Sequence, residues 1–243
     1  MSQRLLWVDA FRGFAIILMV IFHFCYDLHY FGYVDWHIPD GSGWWQLRYL
    51  IVSLFIFTVG ISLSLAHQQQ FNKKTYYKRL GQLAISAAAV TIMSLLVFPK
   101  EWIYFGILHF ITLASILGIG FVKRPTVSLA LGSVILMGFW SGIFKSDWPF
   151  VLFEQRLPQR TQDFVPFFPW LGLMYLGIGL MGLLNSPKPG KALGKKIDLP
   201  HNTLTQQMGF IGQHGLIIYL VHQPILFSLF IAIDFFGIKS LIV

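Results

Sequence analysis

The chain has 243 residues, of which 56% are hydrophobic and only 12% are charged, and its mean hydropathy is positive. Soluble domains of this length usually carry about twice that charged fraction, so the composition excludes an ordinary soluble protein and indicates a membrane protein. The one cysteine, Cys25, excludes an intrachain disulfide and leaves the redox compartment undefined.

Long apolar segments recur along the chain. A transmembrane helix needs roughly 20 mostly apolar residues to cross the ~30 Å hydrocarbon core. Seven segments meet this requirement: Phe14–Tyr30, Trp44–Ala66, Gly81–Phe98, Ile103–Val122, Thr126–Phe144, Pro166–Leu184 and Gly215–Ile233. The connections between them are too short for a separate folded domain. We therefore predict an all-α fold, a polytopic transmembrane helix bundle of about seven spans, in one domain covering residues 1–243.

The net charge of +8 could suggest nucleic-acid binding, but the placement of the charges argues against it. Twelve of the 18 Lys and Arg residues lie on the side of the N-terminus: Arg4, Arg12, Lys73, Lys74, Lys78, Arg79, Lys123, Arg124, Lys188, Lys191, Lys195 and Lys196. The other six lie on the opposite side: Arg48, Lys100, Lys145, Arg156, Arg160 and Lys239. The positive-inside rule explains this excess and predicts an inside N-terminus, an outside C-terminus and membrane lipids as partners.

The two longest connections and the first span allow further predictions. The inside linker Asn185–Pro200 is rich in Pro, Gly and Lys, which predicts flexibility. The outside loop Lys145–Val165 carries mixed charges, which favours a solvated connection over an acceptor site. A cleaved signal peptide is disfavoured, because His23 and Asp27 interrupt the place where a small-residue cleavage site should follow.

The first predicted helix carries a polar stripe formed by Arg12, His23 and Asp27, with Arg12 just before the apolar span. Eleven residues make almost three helical turns and four return to the same face, so the three side chains share one side, with Arg12 and His23 roughly 16 Å apart. Such residues cost about 3 kcal/mol each to insert. Arg12 could be only an anchor at the inner headgroups. His23 and Asp27 could be a structural pair, or Asp27 could accept a hydrogen bond from His23 and prepare it as a general base.

Three other spans carry polar residues, namely Arg48, His109 and His222. Arg48 near the outer end of its span could be an anchor, and each histidine could be a satisfied packing residue. Three histidines on different spans, with a carboxylate nearby, instead favour a shared polar cavity. Neither a zinc-ligand spacing nor a nucleotide-binding glycine pattern is present in the sequence. Small residues of the sixth span favour close helix packing: Gly172, Gly177, Gly179 and Gly182.

The opening RLLWVDAFRGFAIILMVIFHFCYDL resembles the first helix of the heparan-α-glucosaminide N-acetyltransferase catalytic-domain family in its compact prokaryotic form. The matching positions are Asp9, Arg12, Gly13, Phe22, His23, Asp27 and Leu28. Further similar blocks are FIFTVGISL, FGILHFI, FFPWLGLMYLGIGL and GQHGLIIYLVHQPIL, so the resemblance covers nearly the whole chain in order. The first and last blocks are the specific ones. The pattern of Arg and His on the first helix is also similar to membrane acyltransferase family 3.

The resemblance implies an integral membrane acyltransferase that moves an acyl group, acetyl in the first instance, from cytoplasmic acyl-CoA to a glycan or lipid-linked sugar on the far side. It implies acyl-CoA as a co-substrate, no permanently bound cofactor, and location in a bacterial or archaeal cytoplasmic membrane. By residue, it puts Arg12 and His23 at the matching positions. We expect Arg12, with Asp9, to bind acyl-CoA, and His23, next to Asp27, to be catalytic. The lysosomal relatives instead place their acting histidine in the following loop, where this chain has His37, so both remain candidates.

From these residues we expect His23 to remove a proton from an acceptor hydroxyl or amine, with Arg48, His109 or His222 stabilising the oxyanion. A covalent acyl-histidine is equally compatible with the residues. A proton-coupled transporter that uses the same histidines as a relay is the alternative function, and a non-catalytic scaffold is a third. A homo-oligomer is compatible with the sequence.

The charge asymmetry generates a topology prediction. A reporter fused after Val243 should read as external, and one inserted in the Asn185–Pro200 linker should read as internal. Reporters that give the same side at both positions would exclude the seven-span arrangement.

Overall fold

The computed structural model of the protein describes residues 5–185 and 202–236, and every regular element in these ranges is a helix. In chain order the α-helices are α1 (Leu6–Tyr30), α2 (Trp44–His67), α3 (Lys73–Val97), α4 (Ile107–Ile119), α5 (Pro125–Trp140), α6 (Trp170–Leu184), α7 (Thr203–Gln213) and α8 (Gly215–Phe235). A short 3₁₀ helix, Phe150–Arg156, lies between α5 and α6. The predicted all-helical fold is confirmed.

Four helices within the described ranges, α1, α2, α3 and α8, are long and apolar enough to cross a membrane. Three more, α4, α5 and α6, are apolar but shorter. These seven coincide with the seven predicted segments, although the number of spans and their direction remain predictions. The helix α7, of 11 residues, was not expected from the sequence. Most of the predicted flexible linker, together with Arg4 and Lys239, lies outside the described residues.

Five of the seven helices begin at residues other than the predicted ones. The helix α1 begins at Leu6 rather than Phe14, α5 at Pro125 rather than Thr126, and α6 at Trp170 rather than Pro166. The helix α3 begins at Lys73 rather than Gly81, because the Asn72 side chain accepts a hydrogen bond from the Thr75 N–H and caps it. The helix α4 begins at Ile107 rather than Ile103. The residues before it pair instead with the end of the long loop, where the Val165 N–H donates to the Phe105 carbonyl at 3.1 Å. This loop is therefore packed at its end rather than solvated throughout.

The described chain forms two compact units. The first contains α2 from Ile56 onward and α3 to α6. Its glycines allow close helix contact, as predicted: a Cβ on Gly177 would lie 2.5 Å from the Phe57 carbonyl oxygen of α2. A Cβ on Gly172 would lie 3.0 Å from the Gly132 carbonyl oxygen of α5. The expectation of a single domain remains a prediction.

The second unit contains α1, α2 up to Phe55, α7 and α8. Its core is an apolar cluster of buried side chains from α1, the following loop and α2: Ile16, Met19, Phe22, Ile38 and Ile51. Ile211 of α7 and Ile218 of α8 pack against this cluster. The apolar face of α1 is therefore covered from several sides.

The helices α1 and α7 touch backbone to backbone. A Cβ added to Gly13 would overlap the carbonyl oxygen of Met208, and one added to Gly212 would overlap the carbonyl oxygen of Asp9. Only glycine fits at both positions, as at other close helix crossings. This contact fixes α7 against the first half of α1, which explains why so short and polar a helix is stable.

This geometry generates a stability prediction. The substitution Gly212→Ala should lower the free energy of unfolding by about 1–3 kcal/mol, because the added methyl group overlaps backbone that cannot move without separating the helices. The measurement is the thermal unfolding midpoint of the purified protein in detergent.

The control is Gly81→Ala in α3, where a Cβ meets open space. Alanine is better than glycine inside a helix by roughly 0.5–1 kcal/mol, so this variant should be equal to or more stable than the wild type. Equal midpoints for Gly212→Ala and Gly81→Ala would contradict the close contact.

Candidate active site between α1 and α8

Four polar side chains meet between the second half of α1 and the first half of α8, within the second unit. The helix α1 contributes His23 and Asp27, which share a face because they are one turn apart. The helix α8 contributes the neighbours His222 and Gln223. We call these four residues the polar cluster. It joins residues that are about 200 positions apart in the chain.

The two histidines of the polar cluster are in direct contact. Their ring centroids are 4.9 Å apart, and the ring planes meet at 65° in an edge-to-face arrangement. The Phe22 ring also packs edge-on against His23, with centroids 5.8 Å apart. His23 is half-buried and His222 is buried at 8% exposure. Two titratable rings are therefore held together inside the apolar part of the chain.

The orientation of His222 is fixed by the backbone. Its Nδ1 lies 2.8 Å from the carbonyl oxygen of Tyr219, one turn earlier in α8. A carbonyl only accepts, so Nδ1 must carry the hydrogen, and in the neutral ring Nε2 is left with a lone pair. That Nε2 is buried and has no hydrogen-bond partner among the described residues. His222 thus presents a positioned basic nitrogen.

Asp27 is fully buried and bonds to the opposite helix. Its Oδ1 accepts a hydrogen bond of 2.8 Å from the Nε2 of Gln223. Its Oδ2 and the Oε1 of Gln223 are buried without a partner within the described part of the chain. The prediction of a hydrogen bond between Asp27 and His23 is wrong. The His23 ring contacts His222, and the amide of Gln223 on the facing helix donates to the Asp27 carboxylate instead.

Arg48 is a cation that interacts with a residue of the cluster. It is the fifth residue of α2, is half-buried, and interacts electrostatically with His23. The sequence predicts Arg48 either at the site or as an outer anchor. Its interaction with His23 puts it beside the polar cluster.

The first half of α1 carries a second polar group. The Nη1 of Arg12 lies 3.0 Å from the Oδ1 of Asp9 and 3.4 Å from the carbonyl oxygen of Gly212, to which it donates. The Oδ2 of Asp9 accepts from the Nε2 of Gln213 at 3.3 Å. The side chain of Arg12 retains 23% of its exposure, so the guanidinium is anchored on α7 yet reachable. Asp9 holds it in place and partly balances its charge.

His37 lies in the loop between α1 and α2. It is exposed there and lines an open pocket of about 400 Å³. The pocket is lined by His29, Asp35, His37, Ile38, Asp40 and Gly41. Within the described residues the His37 side chain makes no hydrogen bond that would fix a tautomer, in contrast to His222. Its catalytic role remains a prediction.

His109 belongs to the first unit, at the beginning of α4. The Gly106 N–H donates to its Nδ1 at 3.2 Å, so Nε2 carries the hydrogen and donates to the Thr91 hydroxyl oxygen at 3.0 Å. That hydroxyl donates in turn to the Ile103 carbonyl at 2.8 Å. Both ring nitrogens are therefore satisfied, and His109 caps α4. This local role accounts for the residue, while its place in a shared cavity remains a prediction.

Sequence reasoning missed Gln223 and Gln213, the two glutamines that bond to the aspartates of α1. Only ionisable residues were counted as informative inside the spans. An amide in hydrocarbon also needs a partner, so Gln223 beside His222 in the apolar α8 was a usable signal.

Comparison with known proteins supplies the family. The family model described as heparan-alpha-glucosaminide N-acetyltransferase, catalytic, matches residues 4–224. Comparisons with curated proteins and with solved structures gave no match. The matched range includes α1, the polar cluster and the first part of α8, and the apolar helices fit an integral membrane protein. The chain therefore belongs to the catalytic-domain family of heparan-alpha-glucosaminide N-acetyltransferase, a family of membrane acetyltransferases.

Proposed function

We propose that the protein transfers an acyl group, acetyl in the first instance, from cytoplasmic acyl-CoA to a hydroxyl or amine of a glycan or lipid-linked sugar on the far side of the membrane. The observation that carries the proposal is the contact of His23 with His222 in a chain of this family. Ionisable groups inside a membrane are costly and usually serve function. A pair of rings that can hold a proton suits acyl transfer.

The reaction proceeds by attack of the acceptor oxygen or nitrogen on the thioester carbonyl carbon. In this proposal His23 accepts the proton that the acceptor loses, which makes the acceptor a stronger nucleophile. The new C–O or C–N bond forms, the C–S bond breaks, and the CoA thiolate leaves. The imidazolium then returns the proton to the thiolate, so that CoA leaves as the thiol and the histidine is ready for the next turnover.

Arg48 is suited to stabilise the oxyanion of the tetrahedral intermediate, because its cationic group interacts with His23. Transfer through an acyl-histidine would use the same residues, with His23 as the nucleophile and the acceptor attacking in a second step. His37 is the alternative base, in the loop after α1.

Arg12 at the inner end of α1 would bind the phosphates of acyl-CoA. It lies roughly 16 Å from His23 along the helix, at 1.5 Å per residue. A small substrate cannot touch both residues, whereas a molecule with an anionic head and a long reactive arm can. Asp9 would hold the guanidinium in position through their 3.0 Å contact.

The proposed topology has seven spans, α1 to α6 and α8, with the N-terminus in the cytoplasm and the C-terminus outside, in a bacterial or archaeal cytoplasmic membrane. The shorter helices α4 and α6 follow segments that contain further apolar residues, which extend their reach across the ~30 Å core. The excess of Lys and Arg on the inner side supports this direction.

The proposal predicts that His23→Ala abolishes transfer and leaves acyl-CoA affinity nearly unchanged, because the proton acceptor is lost while the inner anchor remains. The measurements are single-turnover transfer of labelled acetyl from acetyl-CoA in membranes, and acetyl-CoA affinity of the purified variant. The control is His214→Ala, which removes an exposed histidine of the same unit and should retain full transfer.

Full transfer by His23→Ala together with loss in His37→Ala would move the catalytic role into the loop. Thermal stability of the wild type that does not respond to acetyl-CoA or CoA would favour the proton-coupled transporter.

A second prediction concerns the inner anchor. The substitution Arg12→Gln should weaken acetyl-CoA binding by about tenfold, since a charge-assisted contact to phosphate is worth roughly 1.5 kcal/mol, while the chemical step at saturation stays within a few-fold. The matched control is Arg124→Gln, which removes an exposed inside cation before α5. Equal weakening by both variants would show a general effect of surface charge instead of a site.

A further inference from the structure

Three buried atoms of the polar cluster can accept a hydrogen bond but receive none from the described residues. They are Asp27 Oδ2, Gln223 Oε1 and His222 Nε2. The amide oxygen Gln223 Oε1 can only accept, and so can Asp27 Oδ2 when its carboxyl is ionised. The Nε2 of His222 is an acceptor because the hydrogen of this ring is on Nδ1, which donates to the Tyr219 carbonyl. All three sit on residues that are already in contact across α1 and α8.

Such a set is unusual because buried polar atoms are nearly always paired. Each unpaired acceptor costs on the order of 1–3 kcal/mol, and inside hydrocarbon water is scarce. The amide of Gln223 is already used on Asp27 Oδ1. A group that carries several N–H or O–H donors would satisfy the set.

We infer that Asp27 Oδ2, Gln223 Oε1 and His222 Nε2 form the binding subsite for the acceptor substrate, and that they take a donor-rich group such as an ammonium or neighbouring hydroxyls. The inference rests on the proposed function. It changes the role of Asp27 from orienting His23 to binding the acceptor. It gives Gln223 two roles, because its Oε1 binds the acceptor and its Nε2 holds Asp27 in place. The acceptor's reacting group then lies beside His23, on the same face of α1.

Each end of α1 carries an aspartate that accepts a hydrogen bond from a glutamine, and the two pairs would bind different substrates. Asp9 bonds to Gln213 and Asp27 bonds to Gln223. The two aspartates are 18 residues apart, which is about 27 Å along a helix and close to the thickness of the hydrocarbon core. The inner pair holds Arg12 for the acyl-CoA phosphates, and the outer pair faces the acceptor.

The test replaces each of the two glutamines by methionine, which has a similar shape but no amide group, and compares the two variants. The substitution Gln223→Met should raise KM for the acceptor about tenfold, leave kcat within about threefold and leave acetyl-CoA affinity unchanged. The substitution Gln213→Met should do the reverse, weakening acetyl-CoA binding and leaving the acceptor KM unchanged. The probes are labelled acetyl-CoA with methyl α-glucosaminide, or with glycolipid extracted from the protein's own membrane. Ser228→Ala, an exposed site on α8, is the control for folding.

The substitution Asp27→Asn should raise the acceptor KM at least as much, because it exchanges an accepting oxygen for a donor. The inference is overturned if Gln223→Met and Asp27→Asn leave the acceptor KM unchanged, which would mean that water satisfies the three atoms. It is also overturned if Gln223→Met lowers kcat, acetyl-CoA affinity and thermal stability together, which would make the pair a structural lock. Absence of transfer by the wild-type protein to either probe would instead count against the proposed function itself.

Discussion

A polar side chain inside hydrocarbon has no bulk water to bond, and so it must find its partner on a neighbouring helix. This constraint explains how α1 is held. Asp27 is fully buried and its Oδ1 takes the amide of Gln223 from α8 at 2.8 Å. The same pairing brings His222 against His23, because His222 is next to Gln223. A single hydrogen bond between helices therefore sets the register at which the two rings meet.

The constraint is satisfied only in part, and the incomplete part is chemically informative. A purely structural lock would pair every buried atom, as His109 does with both of its ring nitrogens at the start of α4. The polar cluster instead leaves three acceptors open, on Asp27, Gln223 and His222. Natural sequences usually depart from full satisfaction at functional sites. The contrast between the two histidine environments separates a helix cap from the proposed reaction centre.

Much of the fold could be predicted from the sequence, because apolar length and helical period are local properties. The seven apolar segments correspond to seven helices, and the stripe of Arg12, His23 and Asp27 lies on α1 as expected. The helix α7 was missed because its stability depends on a backbone contact with Gly13, which no local pattern reveals. The predicted partner of Asp27, His23, was wrong for the same reason. The observed partner, Gln223, is 196 residues away in the chain, and only the packing of α8 brings it close.

The central claim is that acyl transfer takes place between α1 and α8, and a photoreactive acyl-CoA tests it most directly. Irradiation of the protein with CoA that carries a diazirine-containing acyl group, followed by mass spectrometry of the peptides, locates the acyl end of the bound molecule. The account predicts labelling within Phe22–Asp27 and Tyr219–Gln223, which unlabelled acetyl-CoA should suppress. Labelling confined to α3–α6, or labelling that acetyl-CoA does not suppress, would contradict it.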